Sequence, residues 1–472
     1  MNQHNDIGTN PYTGGVASFV AGLRYDAIPQ DVIARIKLLL LDSVGCALFG
    51  SALEWSRILA DTLARVDTTP GCTVWGTPMK LSAPHAALVN GTMIQSFELD
   101  DVHRAGVLHV GAVTLPAVLA VAEMLPADAR MSGRDFLRAC VAGYEVGPRV
   151  GMCMGPEHIA QGWHSGATVG VFSAAAGAAA ALRLDTAQTV HALGIGGTQS
   201  AGLMAAQFGA MVKRMHAGRA AQSGLYGALL AQNGFTGIVD VFENTYGGFC
   251  STFSRSTDRY DLTQLIDGLG ERFETMNIAL KFYSCVGSNH TTLDAIRAMQ
   301  SRHPFGADDV ESIVVHGSRV TVDHVGWPYV PQGLTSAQLN LPYCVATLLL
   351  EGDVFVDQFS EEKVADPQRI ELSKRVQVLE DPAITARGRG ARHTVRVEAT
   401  LRDGTRLEQT VESQRGSEHA FASEAEIVDK MTKLAAHRID GARIERIIDW
   451  IMHAESKTDA AEFVRLLAIP KQ

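Results

Sequence analysis

The chain of 472 residues has no C-x-x-C pair, no run of basic residues and no apolar stretch of bilayer length. Its seven cysteines (Cys46, Cys72, Cys140, Cys153, Cys250, Cys285 and Cys344) are odd in number and far apart. That excludes a disulfide framework or a structural zinc site and fits reduced thiols in the cytoplasm. A spanning helix needs about 20 consecutive apolar residues. The most apolar segment, Ala167 to Leu182, is shorter and consists mainly of Ala and Gly. The polar start, Met1 to Gly15, lacks the basic-then-apolar layout of a signal peptide, so the expected location is cytoplasmic. Charged residues are scarce at 19% against 46% hydrophobic, which excludes disorder. The net charge of −10 argues against nucleic acid as a partner. Three common catalytic signatures, G-x-x-x-x-G-K-[ST], G-x-S-x-G and H-E-x-x-H, are absent. Gly194-Ile-Gly-Gly197 follows a helical pattern rather than a strand and is a poor dinucleotide loop.

What is present is helix, closely packed. Residues 16–270 read as helical throughout. Val32, Ile33, Ile36, Leu39, Leu40 and Val44 recur at helical spacing after a Pro29-Gln30-Asp31 start. Gly166, Gly170, Ala174 and Ala178 fall four apart, and Ala217, Ala220, Ala221, Gly224, Gly227, Ala228 and Ala231 repeat the device. Such stripes let helix backbones approach closely. Beyond about residue 305 the period shifts to two. Val310–Val315 and Arg375–Leu379 read as strands, and Val395 to Val411 as a hairpin about Asp403-Gly404. Helical spacing returns after Ser423.

Four clusters could carry chemistry. Phe97-Glu98-Leu99-Asp100-Asp101-Val102-His103, with His109, packs three acids and two histidines into an apolar stretch, where burial without pairing is costly. Helix caps with satisfied core histidines, an acid/base group and a carboxylate–imidazole metal site all fit this spacing. Gly162-Trp163-His164-Ser165-Gly166 opens a small-residue helix, whose N-terminus favours anions; a surface histidine near a cap is the plainer reading. Lys213-Arg214-Met215-His216 could grip a carboxylate, or could be a solvated basic loop. Lys281 to His290 flanks a loop where the helical region ends, and such junctions concentrate pockets.

Together the clusters resemble the 2-methylcitrate dehydratase (MmgE/PrpD) superfamily. The resemblance is carried by FELDDVH…H at 97–109, GWHSGATVGVFSAAAGAAAALRLD at 162–185 and VKRMHAGRAAQSGLYGALLAQNGFTG at 212–237. KFYSCVGSNHTTLDA at 281–295 and LNLPYCVATLLLEG at 339–352 extend it. It implies a mainly α fold: a large all-helical domain, discontinuous (1–270 and 416–472), with a smaller α+β lid domain (271–415). It also implies a homodimer, and an interdomain pocket that works without a metal or cofactor. The family includes 2-methylcitrate dehydratases, cis-aconitate decarboxylases and an iminodisuccinate epimerase. By the same resemblance Glu98, His109, His164, Lys213 and Lys281 fall at functional positions, and Tyr329 lies nearest to a lid tyrosine that contacts substrate. In the decarboxylase branch a histidine stands five residues after the Lys281 position; here it is Val286. His109 is followed by Val110 and Gly111 rather than by Pro and Ser. Both departures point away from cis-aconitate decarboxylation.

The shared difficulty of these reactions is an enolate-like charge beside a carboxylate, which fixed cations stabilise. Lys213 and Lys281 are the expected cations, and His109 and His164 the acid/base pair. Glu98 or Asp101 would orient one ring, Asp101 as a catalytic group. Glu98, His103, Lys281, His290 and Tyr329 are the expected substrate contacts. The expected function is a cofactor-independent lyase dehydrating a small hydroxylated di- or tricarboxylate. The alternatives are an epimerase, isomerase or decarboxylase on a related acid, and a non-catalytic carboxylate-binding protein.

Overall fold

In the computed structural model, which describes residues 10–155, 157–208 and 210–470, helices pack on helices over most of the chain. Part of the polar N-terminal stretch, residues 1–9, lies outside the described residues. The Gln30–Gly50 helix starts directly after Pro29, with Asp31 in its first turn, and is buried over most of its length. Every residue of Gly170–Ala181 is buried. Small residues make this packing possible. A Cβ on Gly218 would lie 2.0 Å from the Leu88 carbonyl oxygen, and one on Gly224 would lie 2.5 Å from Ala174 Cβ. Glycine at 218 therefore seats Val212–Gln232 directly against Ala83–Ile94, which brings Lys213 and Arg214 over the end of that neighbouring helix.

The helical reading fails between 233 and 270. Only Phe249–Ser254 forms an α-helix there, and Gly234, Gly247, Gly268 and Gly270 take positive φ, which breaks helical propagation. The Gly194–Gly197 segment is simply the end of the Thr186–Gly197 helix.

The chain then builds one four-stranded sheet, ordered Val376–Glu380, Val310–Gly317, Val395–Leu401, Arg406–Val411. The first pair is parallel and the others antiparallel. Val395, Val397, Ala399 and Leu401 are buried in strict alternation, the period-two pattern of a half-buried strand. The fold is thus mainly α with a small sheet region.

The C-terminal helices Glu424–Ala435, Gly441–Met452 and Ala461–Leu467 return to the N-terminal ones. Lys430 forms a buried ion pair with Asp42 at 2.5 Å, and Gly76 N–H donates to the Leu467 carbonyl at 2.8 Å. Lys430 Nζ also donates to the Leu99 carbonyl at 2.7 Å, so the tail holds the backbone between Glu98 and Asp100.

Candidate active site

A 3₁₀ turn, Gln95–Phe97, follows the Ala83–Ile94 helix, and Glu98 then takes φ 55°. This left-handed conformation costs a non-glycine residue about 1–2 kcal/mol. It ends helical periodicity, so the acids after it meet unrelated partners.

Glu98 is buried and accepts from two cations: Lys213 Nζ, and Arg214 Nη1 at 2.6 Å. Burial alone would raise its pKa. Lys213, Arg214 and Lys281 outweigh that and hold the carboxyl well below the usual range. Lys281 follows the short strand Ile278–Ala279, which pairs with Val102–His103. Its Nζ stands 3.6 Å from Asp100 Oδ1 and 3.8 Å from Glu98 Oε2, beyond hydrogen-bond reach. Among the described residues this buried ammonium has no hydrogen-bond acceptor. Its pKa is raised, because the fields of Asp100 and Glu98 exceed the effect of burial. Lys213 is lowered, burial being the main cause and Arg214 adding to it against Glu98.

His109 precedes the Val110–Met124 helix. Its Nδ1 lies 3.0 Å from the Asp101 carbonyl and 3.0 Å from Asp100 Oδ2. A carbonyl only accepts, so Nδ1 carries the proton and Nε2 is left for chemistry. Asp100 itself is buried, and His109 and Lys281 lower its pKa against the effect of burial.

The Asp101 carboxyl does not orient a ring. It accepts from Gly111 N at 3.0 Å and from Tyr144 Oη at 2.8 Å, clamping the start of the helix after His109. Only its main-chain oxygen touches His109, which corrects the side-chain role expected from the sequence. Burial and then Asp100 raise this carboxyl to about 7 from 3.8. Between about pH 4 and 7 the folded chain holds a proton that the unfolded chain has released, so stability falls as pH rises through that window. Asp101→Asn should flatten that fall, so that the variant gains on the parent between pH 4.5 and pH 8 in urea melts. Glu145, also raised to about 7 by burial, keeps its own share of the slope. An unaltered slope would exclude a proton held at Asp101 in the folded chain.

His164 sits immediately before the short Ser165–Thr168 helix, and its Nδ1 lies 3.1 Å from His216 Nδ1. One ring donates and the other accepts. Burial, then Lys213, lowers both, and His164 lies well below 6.5, so the pair is neutral at physiological pH. A Cβ on Gly166 would lie 3.0 Å from His164 Cε1 and 3.8 Å from Gln95 Nε2, so this glycine keeps a gap between the two side chains.

Three expected substrate contacts are engaged elsewhere. His103 uses both ring nitrogens: Nε2 lies 3.1 Å from Glu274 Oε2, and Nδ1 accepts from Gly106 N at 2.9 Å. It is a satisfied core histidine. Tyr329 Oη donates to the Val364 carbonyl at 2.9 Å, and its ring packs on Tyr343 with centroids 4.6 Å apart. His290 is buried, with Nε2 3.1 Å from the Cys285 carbonyl and its ring edge-on to Tyr283.

The sequence reading missed Asp100 as the partner of His109, Arg214 as the second cation on Glu98, and His216 beside His164. It also missed Gln338, which ties the two regions together. The amide of this buried residue donates to the Phe97 carbonyl at 3.1 Å and the Ser284 carbonyl at 3.0 Å, and accepts from Arg214 at 3.1 Å. Gln95 is buried with neither side-chain polar atom partnered among the described residues.

Among the described residues no three His, Cys, Asp or Glu side chains converge as a metal site requires, and no helix is long and apolar enough to cross a membrane. Two surface cavities, of about 400 and 330 Å³, are lined by none of the clustered lysines, acids or histidines. The cluster itself is closed: Lys213 and His164 are each 9% exposed and Lys281 3%.

Over 97% of this chain and 97% of its own length, a cis-aconitate decarboxylase-like protein, oryM, of Aspergillus oryzae is 36% identical. The cis-aconitate decarboxylase of Aspergillus terreus is 32% identical over 97% of this chain and 96% of its own. That of Mus musculus is 28% identical over 97% and 93%. The MmgE/PrpD N-terminal domain matches residues 15–260, and the C-terminal domain matches 283–454. Glu98, His109, His164 and Lys213 lie in the first match, Lys281 between the two and Gln338 in the second, and the chain that assembles them belongs to the MmgE/PrpD family.

Proposed function

We propose that the chain is a lyase that removes CO₂ from a small unsaturated tricarboxylate of the cis-aconitate type. The observation that carries this reading is the buried Lys281 ammonium with no acceptor, beside Lys213 and Arg214. Three cations face two carboxylates, Glu98 and Asp100, which leaves an excess positive charge where a protein rarely tolerates one unpaired. An anionic substrate supplies the missing partner. Two relatives matched along nearly their whole length are named as cis-aconitate decarboxylases, which favours loss of CO₂ over loss of water.

The chemistry suits the cluster. In cis-aconitate the –CH₂–COO⁻ group is β,γ to a double bond that is conjugated with another carboxylate. The C–CO₂ bond breaks, its electron pair moves through the double bond, and charge collects on the far carboxylate as a dienolate. Lys213 and Lys281 stabilise that charge. His109, having taken a second proton from solvent at Nε2, gives that proton to the α-carbon, and Asp100 beside Nδ1 stabilises the imidazolium that delivers it.

Dehydration of a 2-methylcitrate-like acid would use the same cations with hydroxide as leaving group. It is the second reading, favoured by Val286 at the position of the decarboxylase histidine. Proton NMR in D₂O with cis-aconitate and with 2-methylcitrate separates the two. Decarboxylation gives CO₂ and one carbon-bound deuterium per turnover. Water loss from the hydroxy acid would overturn it in favour of the dehydratase, and binding without conversion in favour of a carboxylate-binding protein.

A further inference from the structure

Gln95 is the C-cap residue of the Ala83–Ile94 helix and opens the 3₁₀ turn that leads to Glu98. It is 1% exposed, and among the described residues neither Nε2 nor Oε1 has a hydrogen-bond partner. A buried amide left unbonded costs free energy that an apolar side chain of the same shape would not. Asn90, on the same helix, shows the usual outcome: its Oδ1 accepts from Trp75 N and its Nδ2 donates to the Thr73 carbonyl, both at 3.0 Å. Gln338 likewise uses both ends of its amide. Gln95 alone of these three is held by nothing in the fold, so it is free to turn its NH₂ toward an acceptor that arrives from outside.

The amide borders a gap. A Cβ on Gly166 would stand 3.0 Å from His164 Cε1, 3.3 Å from His164 Nδ1 and 3.8 Å from Gln95 Nε2. The absence of that one carbon leaves a space with an imidazole on one side and the amide on the other. A chain of contacts runs from this gap through the charged cluster and back. His164 Nδ1 lies 3.1 Å from His216 Nδ1, and His216 follows Lys213 by one turn on the same face of Val212–Gln232. Lys213 bonds Glu98, and only the 3₁₀ turn separates Glu98 from Gln95. The ring of contacts closes, so the amide and the lysine are parts of one site. Its two halves differ in charge. Lys213 and Arg214 surround Glu98 in one. The other holds the neutral amide and the histidine pair, which burial, then Lys213, keeps uncharged.

We propose that Gln95, across the Gly166 gap from His164, binds a carboxylate of the substrate through its Nε2 donors. The proposal rests on the reading above of a tricarboxylate substrate and names the carboxylate: the one that leaves as CO₂. That group gives up its negative charge as the C–CO₂ bond breaks and the electron pair moves into the dienolate. A cation beside it would hold the charged ground state more tightly than the transition state and slow the step. A neutral amide orients the group with far less of that penalty. The carboxylate that gains charge needs the lysines, and the one that loses it needs a neutral donor.

The test reads binding and stability, so it does not depend on turnover. The full chain and its Gln95→Met and Gly166→Ala variants are titrated calorimetrically with two acids. One is propane-1,2,3-tricarboxylate, which has no double bond to react; the other is methylidenesuccinate, the dicarboxylate left when CO₂ departs. Methionine keeps the length of glutamine and removes the amide. Gln95→Met should weaken the tricarboxylate about 30-fold and the dicarboxylate less than about 3-fold. Its melting temperature without ligand should equal or exceed the parent's, because the fold makes no use of the amide. Gly166→Ala leaves the amide in place and fills the gap with a methyl group, and should show the same preference between the acids. Equal losses of both acids in Gln95→Met, no loss of either, or no saturable tricarboxylate binding by the parent would each overturn the contact. So would a fall in the melting temperature of Gln95→Met, or its failure to fold, since the amide would then serve the structure. A parent chain that binds the tricarboxylate, loses it selectively in Gln95→Met and releases no CO₂ from cis-aconitate sinks the decarboxylase reading and leaves Gln95 as the contact for a third carboxylate.

Discussion

On the decarboxylase reading, Lys213→Met should lower the rate of CO₂ release at least about 100-fold, with a smaller change in KM. The side chain stands beside Glu98 in a buried cluster, where a fixed charge acts through a weaker dielectric than in water. Its value to the reaction grows only as the dienolate forms, so the loss falls on turnover more than on binding. Methionine keeps the length and apolar stem of lysine. Glu98 retains Arg214 at 2.6 Å and Lys281 at 3.8 Å, so the acid is not stranded and the fold persists. Steady-state rates on cis-aconitate, with melting curves run alongside, separate a chemical defect from a structural one. A variant that turns over normally would remove Lys213 from the mechanism.

Glu98→Ala has the opposite profile: its first consequence is loss of stability. Three cations, Lys213, Arg214 and Lys281, are left around a buried methyl group with Asp100 as the remaining carboxylate. Removing one partner of a buried ion pair costs about 3–5 kcal/mol. Glu98→Gln should cost less, because its amide oxygen still accepts from Arg214. Alanine and glutamine share the left-handed strain at φ 55° and both lack the charge, so the difference between them reports the retained amide acceptor, and the difference of glutamine from the parent reports the charge. Urea denaturation of the parent and both variants measures them, and a Glu98→Gln midpoint equal to the parent's would show that Glu98 is not the electrostatic centre of the cluster.

The sequence was most informative where contacts are local. The Ala/Gly stripes appear as buried helices because their meaning lies in side-chain size, and the hairpin about Asp403-Gly404 because a short turn, Arg402 to Gly404, fixes its register. The acidic segment was legible as chemistry but not in its wiring. Once φ turns positive at Glu98 no period links successive side chains, so Asp100 and Asp101 could exchange roles without any change in pattern. His103 looked like a ligand because its partner, Glu274, lies 171 residues away in the chain. Gln338, an unremarked glutamine in a short helix, acquires meaning only through Phe97, Ser284 and Arg214, which fold brings to it. Tyr329 sits in a packed cluster of aromatic rings, a setting that spacing does not reveal.

The three hydrogen bonds of Gln338 also bear on timing. With Lys281 only 3% exposed, the tricarboxylate of the proposed reaction would reach it only by parting the region around Gln338 from Phe97. Two such bonds, the one to Phe97 and the one from Arg214, join the regions that part, and at about 1 kcal/mol net each they keep the open form at one molecule in about 30. Substrate then binds a minority population, and measured affinity is weaker than the intrinsic affinity of the cluster by that factor. Each turnover also includes two crossings of the same barrier, so loosening this one amide would raise apparent affinity before it altered any step of the chemistry.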